Sequence, residues 1–222
     1  MEISASDPIR YQVDPEHSGI RMAVVFIFLV IWLVIYLLIH VLTSAAGIDL
    51  VALVVGFIVT VVATQQIERR LKQRWPSGRE VHISPHQIQL RKKANVEDEI
   101  DPKQTVNVLL WHFKVSKRSR VQKGWLVVAC ALEQEETYIP IYTFMPPELF
   151  EDLLDSHRFT ALQKIPQDQD KNRPMQLAGI QRRLHDAERM RWLSGAEMTQ
   201  DGFKAYLATL QEYFPQWMPS VV

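Results

Sequence analysis

Two apolar stretches near the N-terminus restrict this chain more than any other feature. Met22 to Leu42 reads MAVVFIFLVIWLVIYLLIHVL, and no residue from Met22 to Ile48 is charged. About 20 apolar residues are enough for a helix to cross about 30 Å of hydrocarbon. A second uncharged stretch, LVALVVGFIVTVVATQQI, runs from Leu50 to Ile67. One such run could be the buried core helix of a water-soluble domain. Two in succession, joined only by TSAAGID, predict a transmembrane helical hairpin over residues 22–67.

The residues before the first run do not read as a cleaved signal peptide. Glu2, Asp7, Asp14 and Glu16 accompany Arg10 and Arg21, so no basic leader precedes it, and the apolar run is too long. Orientation follows from the cations. The TSAAGID turn has none, whereas IERRLKQRWPSGR after the second run carries Arg69, Arg70, Lys72, Arg74 and Arg79. Lys and Arg gather on the cytoplasmic side, so both termini are expected there, in a multi-pass protein of a bacterial-type inner membrane. Ala52, Gly56, Thr60 and Thr64 recur every fourth residue in the second run. That spacing places small side chains on one helix face, where a second backbone can approach closely. The first run is the nearest candidate, and a partner's membrane helix is the alternative. Trp32 and His40 have no acidic neighbour that would suggest a proton path.

Residues 68–158 change character. EVHIS, QIQLRK, VNVLLWHFKV, WLVVACALEQ and TYIPIYTF are β-branched and aromatic runs of strand length, and polar turns separate them. In the third run Leu109, Trp111, Phe113 and Val115 share one face, and Val108 and Leu110 the other. ANVEDEIDPKQ reads as a loop. Pro140 marks an edge or a bulge. PPELFEDLLDSH then reads as a helix, with Pro147 in its first turn, Glu148 and Glu151 towards its N-terminal end, and Leu149, Phe150, Leu153 and Leu154 forming its apolar face. The expected fold is thus mixed membrane α and β: a two-helix hairpin, a small antiparallel sheet of about five strands, and a capping helix.

That order resembles the bacterial pleckstrin-homology-like domains, and in particular the YcxB-like membrane proteins. The likeness covers roughly Met22 to His157. It is carried by Trp111, by the strand pair in GWLVVACALEQEETYIPIYTF and by the PPELFEDLL cap. It implies a membrane-associated, non-enzymatic domain with a PH-like sheet. The chain departs from the pattern after residue 160. Residues 159–174, ending in PQDQDKNRP, read as a linker. Residues 175–222 read as a C-terminal helical hairpin. Leu177, Ile180, Leu184, Ala187 and Arg191 have helical spacing, Gly195 stops that helix, and Thr199 caps the next one. The second helix carries Phe203, Tyr206, Leu207, Leu210, Tyr213 and Phe214 on one side. A hairpin this small has too little core to stand alone. Its apolar faces must therefore dock on the sheet, on each other or on another subunit, and the aromatic run Phe203, Tyr206, Leu210, Tyr213 and Phe214 is expected to dock on a partner.

Candidate chemistry is sparse. Cys130, the single cysteine, lies among apolar residues and reads as a buried structural thiol. His82 and His86 are four apart, but the segment is extended and Pro85 intervenes, so no metal pair is expected. EDEID, from Glu97 to Asp101, lacks the ligand spacing and the glycine of a calcium loop. Glycine-rich phosphate loops, GxSxG and HExxH do not occur. No catalytic residue, metal or cofactor is expected, and the chain is not expected to be an enzyme.

Charge is more informative. The protein has 25 Lys and Arg against 25 Asp and Glu, a formal net charge of zero. Yet residues 66–130 hold fourteen cations against six acids, and residues 131–174 hold four against nine. The cations peak in KVSKRSRVQKG, where Lys114, Lys117, Arg118, Arg120 and Lys123 flank a hairpin turn without one acid. Anionic headgroups or an acidic partner protein would meet such a tip. Nucleic acid is not expected, because no aromatics interleave the cations and a membrane anchor restricts access. The function expected from sequence is a non-catalytic accessory or scaffolding subunit of a membrane complex. Its partners would be membrane lipids together with other subunits or further copies of itself. The alternative is a stand-alone regulator responsive to anionic lipid.

Overall fold

The computed structural model describes residues 7–15, 18–43, 50–115, 121–163 and 175–218. The chain divides into two units. Residues 15–77 form one, and residues 1–14 together with 78–222 form the other.

The first unit is a pair of helices, α1 (Ser18–Thr43) and α2 (Leu50–Arg74). Both are long and apolar enough to cross a membrane, over Gly19–Leu42 and Leu50–Lys72. Each helix outruns its apolar stretch. α2 continues as helix through the basic run, where Lys72 and Glu68 pair at 2.8 Å one turn apart. The small-residue face of α2 is used within this pair. Ala52, Gly56, Thr60 and Thr64 are all buried. A Cβ on Gly56 would lie 3.5 Å from Ile35 Cγ2 and 3.7 Å from the backbone nitrogen of Tyr36, so α1 closes over this face. Phe28 and Phe57 meet edge to face at 5.7 Å. The Thr60 hydroxyl donates to the Gly56 carbonyl at 2.7 Å, which removes an unsatisfied polar group from the interface.

The second unit contains two sheets. One is an antiparallel meander of β1 (Ile9–Val13), β2 (Arg79–Ser84), β3 (Gln87–Lys92) and β4 (Asn95–Ile100). β1 precedes α1 in sequence and β2 follows α2, yet they pair in register from Ile9↔Ile83 to Val13↔Arg79. The other sheet is built on β5 (Asn107–Lys114), β6 (Leu126–Gln134) and β7 (Thr137–Met145), also an antiparallel meander. Two short parallel strands flank it, β8 (Thr160–Ala161) beside β5 and β9 (Ala196–Glu197) beside β7. α3 (Pro147–Leu154) follows β7 with Pro147 in its first turn. α4 (Met175–Ser194) and α5 (Gln200–Tyr213) complete the unit.

Alternation along the strands of the second sheet gives it two buried faces. Leu110, Val128, Cys130, Leu132, Ile139 and Ile141 face the main core, with Val81, Ile83, Ile88, Leu90 and Ile100 of the first sheet. Phe203, Tyr206, Leu207 and Leu210 of α5 fill the same core. On the opposite face Trp111, Ala129 and Ala131 meet Leu184 and Ala187 of α4, where the alanines admit the helix closely. β6 is thus buried on both faces and reads as a continuous apolar run.

Four expectations change here. The expected linker begins inside the domain, since Phe159 is buried in the main core and Thr160–Ala161 form β8, while its residues 164–174 lie outside the described residues. Within the expected ANVEDEIDPKQ loop, Asn95–Ile100 form strand β4, an edge strand whose only buried residue is Ile100, so it carries charge in place of an apolar period. Residues 1–21 include a strand of the sheet. Within the expected C-terminal hairpin, the described residues 175–218 do not stand apart from the sheet. α4 and α5 pack on different faces of one sheet, and β9 between them joins that sheet. Gly195 ends α4 and Thr199 caps α5, accepting from the Gly202 amide at 3.2 Å.

The two units meet at residues suited to a tight turn. Asp14 has φ 56° and Gly78 has φ 71°, directly beyond the last β1–β2 pair. A two-residue type I′ hairpin needs positive φ at both central positions and favours Asp-Gly. Deleting residues 15–77 and joining Asp14 to Gly78 is therefore expected to yield a water-soluble domain with β1 and β2 as an ordinary hairpin. Circular dichroism and a cooperative thermal transition check this; an aggregated or unstructured product refutes it.

Candidate functional site: a basic hairpin and an arginine clasp

β5 and β6 form the hairpin that carries the basic cluster. The Val115 amide donates to the Trp125 carbonyl at 2.8 Å, and the Gly124 amide to the Val115 carbonyl at 3.3 Å. Gly124 adopts φ 100°, which a side chain would resist. At the hairpin root Lys114 and Lys123 are exposed, and the Lys114 chain passes 3.8 Å from where a Gly124 Cβ would be. Lys117, Arg118 and Arg120 lie outside the described residues.

The aromatic run of α5 is placed differently from its expected docking role. Phe203, Tyr206 and Leu210 are fully buried, Phe214 is 4% exposed, and Tyr213 packs against the same core half-buried. Tyr11 of β1 secures this helix, since its hydroxyl lies 2.6 Å from Thr209 Oγ1 and its ring meets Tyr206 edge on. Phe203, Tyr206, Leu210 and Phe214 are the domain's own core, and of the five only Tyr213 keeps part of its surface exposed. An amphipathic aromatic helix looks the same in sequence whether it covers its own sheet or another chain's.

Arg79, the first residue of β2, is the best-connected charge. Its Nη1 donates to Asp14 Oδ2 at 3.0 Å and its Nε to Glu97 Oε2 at 2.6 Å. Its Nη2 donates to the Ser194 carbonyl at 2.8 Å, and Nη1 reaches the Gly195 carbonyl at 3.3 Å. One guanidinium therefore ties β1, β2, β4 and the C-terminal end of α4, where helix carbonyls lack partners and favour a cation. Asp14 extends the clasp, accepting from the Glu197 amide at 2.9 Å. Burial opposes the charge on Arg79, but Asp14 and Glu97 outweigh it and raise its pKa. Sequence offered only Arg79 as one of several juxtamembrane cations, because its partners lie 18 to 116 residues away.

A second network lies under α4. Trp111 Nε1 donates to Glu188 Oε2 at 3.0 Å, and Arg191 forks onto Glu188 at 2.7 and 2.6 Å. The Arg191 guanidinium lies 4.7 Å from the Tyr142 ring centre. Arg183 pairs with Glu133, which also accepts from the Tyr138 hydroxyl. These groups are occupied in holding α4 to the sheet.

The cysteine and the histidines differ in burial. Burial pushes the Cys130 thiol up to about 12, and Tyr206 beside it offsets only part of that. The thiol is therefore protonated and closed to reagents. His82 bonds Glu80 at 3.0 Å within β2, and His86 is exposed in the following turn, so the two do not converge. Among the described residues no cluster of three His, Cys, Asp or Glu could hold a metal. His112 lies 4.6 Å from the Phe150 ring, and His157 stands beside Phe159. Burial lowers the pKa of both, and the Leu153 backbone offsets only part of the shift at His157.

Compared with known proteins, the chain matches no family model, no curated protein and no solved structure.

Two outcomes follow from the charges. Arg79→Met leaves the half-buried Asp14 and the exposed Glu97 unpaired and frees the Ser194 and Gly195 carbonyls. It is expected to cost about 3 kcal/mol of stability, read by chemical denaturation, with part regained on adding Asp14→Asn. The histidines set an acid limit. Their folded pKa values are lowered, so below about 6.5 the unfolded chain binds more protons and stability falls with pH. Each neutral imidazole contributes up to about a tenfold change in the unfolding equilibrium per pH unit in that window. Thermal unfolding in detergent between about pH 7 and 5.5 is expected to show the loss, and His157→Phe to flatten it. An unchanged slope refutes the role of His157.

Proposed function

We propose that this chain is a non-catalytic, membrane-anchored protein whose β domain lies at the cytoplasmic leaflet and responds to its anionic lipids. The observation that carries the proposal is the pairing of β1 with β2 across the two apolar helices. If α1 and α2 span the bilayer, that pairing requires both ends of the hairpin on one side. The chain then has only four residue steps from Asp14 to Ser18 and five from Arg74 to Arg79, at most about 14 and 18 Å. A domain tethered twice at that length stays beside the headgroups. The spanning reading has support from α1 itself, whose apolar window is 0% buried inside the protein, unlike the core helix of a soluble fold.

The five cations of the 114–123 hairpin supply the lipid chemistry, since each Lys or Arg near an anionic leaflet contributes about 1 kcal/mol. The likeness of residues 22–157 to YcxB-like proteins belongs to the same proposal and supports a domain without catalysis. An accessory or scaffolding subunit is the second reading. It had rested on the α5 aromatics and on the small-residue stripe of α2, and both are used within the chain.

The domain with Asp14 joined to Gly78 provides the test, once shown to be folded. It is expected to bind phosphatidylglycerol or cardiolipin vesicles, to ignore phosphatidylcholine vesicles, and to be released by salt. Replacing Lys117, Arg118 and Arg120 by Gln is expected to weaken binding by about tenfold or more. Equal binding by the triple variant, or none by the folded parent, transfers the cations to an acidic partner protein and favours the subunit reading.

A further inference from the structure

α4 has one face that its own domain does not use. Leu184, Ala187 and Arg191 are buried against the sheet. On the opposite side Arg182, Asp186, Arg189 and Leu193 form a stripe at helical spacing, and Trp192 stands next to it. Trp192 is 80% exposed and Leu193 67%, the largest apolar exposure among the domain's described residues. Arg182 and Arg189 are exposed and in no ion pair among the described residues, against the single acid Asp186. A tryptophan and a leucine with flanking arginines suit the boundary between headgroups and acyl chains, where an apolar ring inserts and a guanidinium meets phosphate.

The clasp fixes where this end of α4 can go. Ser194 and Gly195 are bonded through their carbonyls to Arg79, five residues beyond α2, and Arg79 is bonded to Asp14, four residues before α1. Trp192 and Leu193 are the two residues preceding Ser194. Covalent connection alone keeps the Arg79 end of the clasp within about 18 Å of the last turn of α2, whatever the tilt of the domain. α2 ends in Arg69, Arg70, Lys72 and Arg74, the residues of a headgroup-level helix end.

We propose that the C-terminal end of α4, with Trp192 and Leu193 beside Arg182 and Arg189, is a membrane-contact face that seats on the anionic leaflet from which α1 and α2 emerge. The inference rests on the spanning reading of α1 and α2, and it is independent of the basic hairpin. Lipid is the occupant favoured over a protein partner because the same two tethers that hold α1 and α2 also hold this face. Its charge is complementary to phosphatidylglycerol. Seated on both the hairpin tip and α4, the domain would have a fixed orientation, which a single contact leaves free to pivot.

The full-length protein in lipid nanodiscs tests this, with an environment-sensitive fluorophore on Leu193→Cys. Cys130 does not compete, being fully buried. In discs containing phosphatidylglycerol and headgroup-level nitroxide lipids, the label is expected to shift to the blue and to be quenched by about twofold or more. Arg182→Gln with Arg189→Gln, or high salt, is expected to reverse both effects. A second label on Leu33→Cys, in the middle of α1, reports the anchor through nitroxides placed deep in the acyl chains. Quenching at Leu33 without quenching at Leu193 overturns the membrane-contact face and leaves the anchor standing. Equal quenching of Leu193 in pure phosphatidylcholine discs overturns the anionic assignment. No quenching at Leu33 means that α1 does not span, and the inference falls with it.

Discussion

The pairing of Val13 with Arg79 is the constraint on which the rest of the molecule depends. Paired residues of an antiparallel ladder have Cα atoms about 5 Å apart. The chain therefore leaves the sheet, runs through 65 residues of sequence and returns to the neighbouring strand at nearly the same point. That geometry makes α1 and α2 an insertion in a β-hairpin, at the kind of turn where insertions are best tolerated. It also explains the clasp. β1 has only five residues and little ladder of its own, so Arg79 and Asp14 secure the strand at the break, and Tyr11 secures its middle to α5.

From that edge the domain builds outward around β6. Its odd and even residues face two different cores, and each core is closed by a helix from the C-terminal third of the chain. The two faces differ in chemistry. Towards α5 the contact is aliphatic and aromatic, with the protonated Cys130 thiol and the Tyr206 hydroxyl sealed inside. Towards α4 it is small residues bordered by the Trp111–Glu188–Arg191 network, in which every charge has a counter-charge and an aromatic neighbour. A buried Glu or Arg is tolerated only when so paired. The half-polar α4 face is the reason that helix shows no clean apolar stripe in sequence.

Local pattern was legible in the sequence, and pairing at a distance was not. The apolar helices, the strands β2, β3 and β5 to β7, the Pro147 helix start, the Gly195 stop and the Thr199 cap all rest on signals within a few residues. β1 was hidden because IRYQV is short and is separated from its partner by the insertion. β4 was hidden because an edge strand needs charge on its open side and so loses the apolar period. The α5 aromatics were visible, but periodicity reports that a face is buried, not what buries it. The clasp could not have been found in one sequence at all. Arg79 sits in a run of cations, and nothing local separates the one that is bonded to four backbone and carboxylate groups from those facing water.

A neutral protein with a concentrated basic segment has a specific physical consequence. With zero net charge there is little long-range steering towards a membrane or a partner. At physiological salt, attraction between exposed charges fades over about 8–10 Å. Clustered cations on such a chain therefore act at short range, and most effectively where something else has already brought them close. Here the tethers from Asp14 to Ser18 and from Arg74 to Arg79 would perform that step. The hairpin would then contribute orientation in place of affinity.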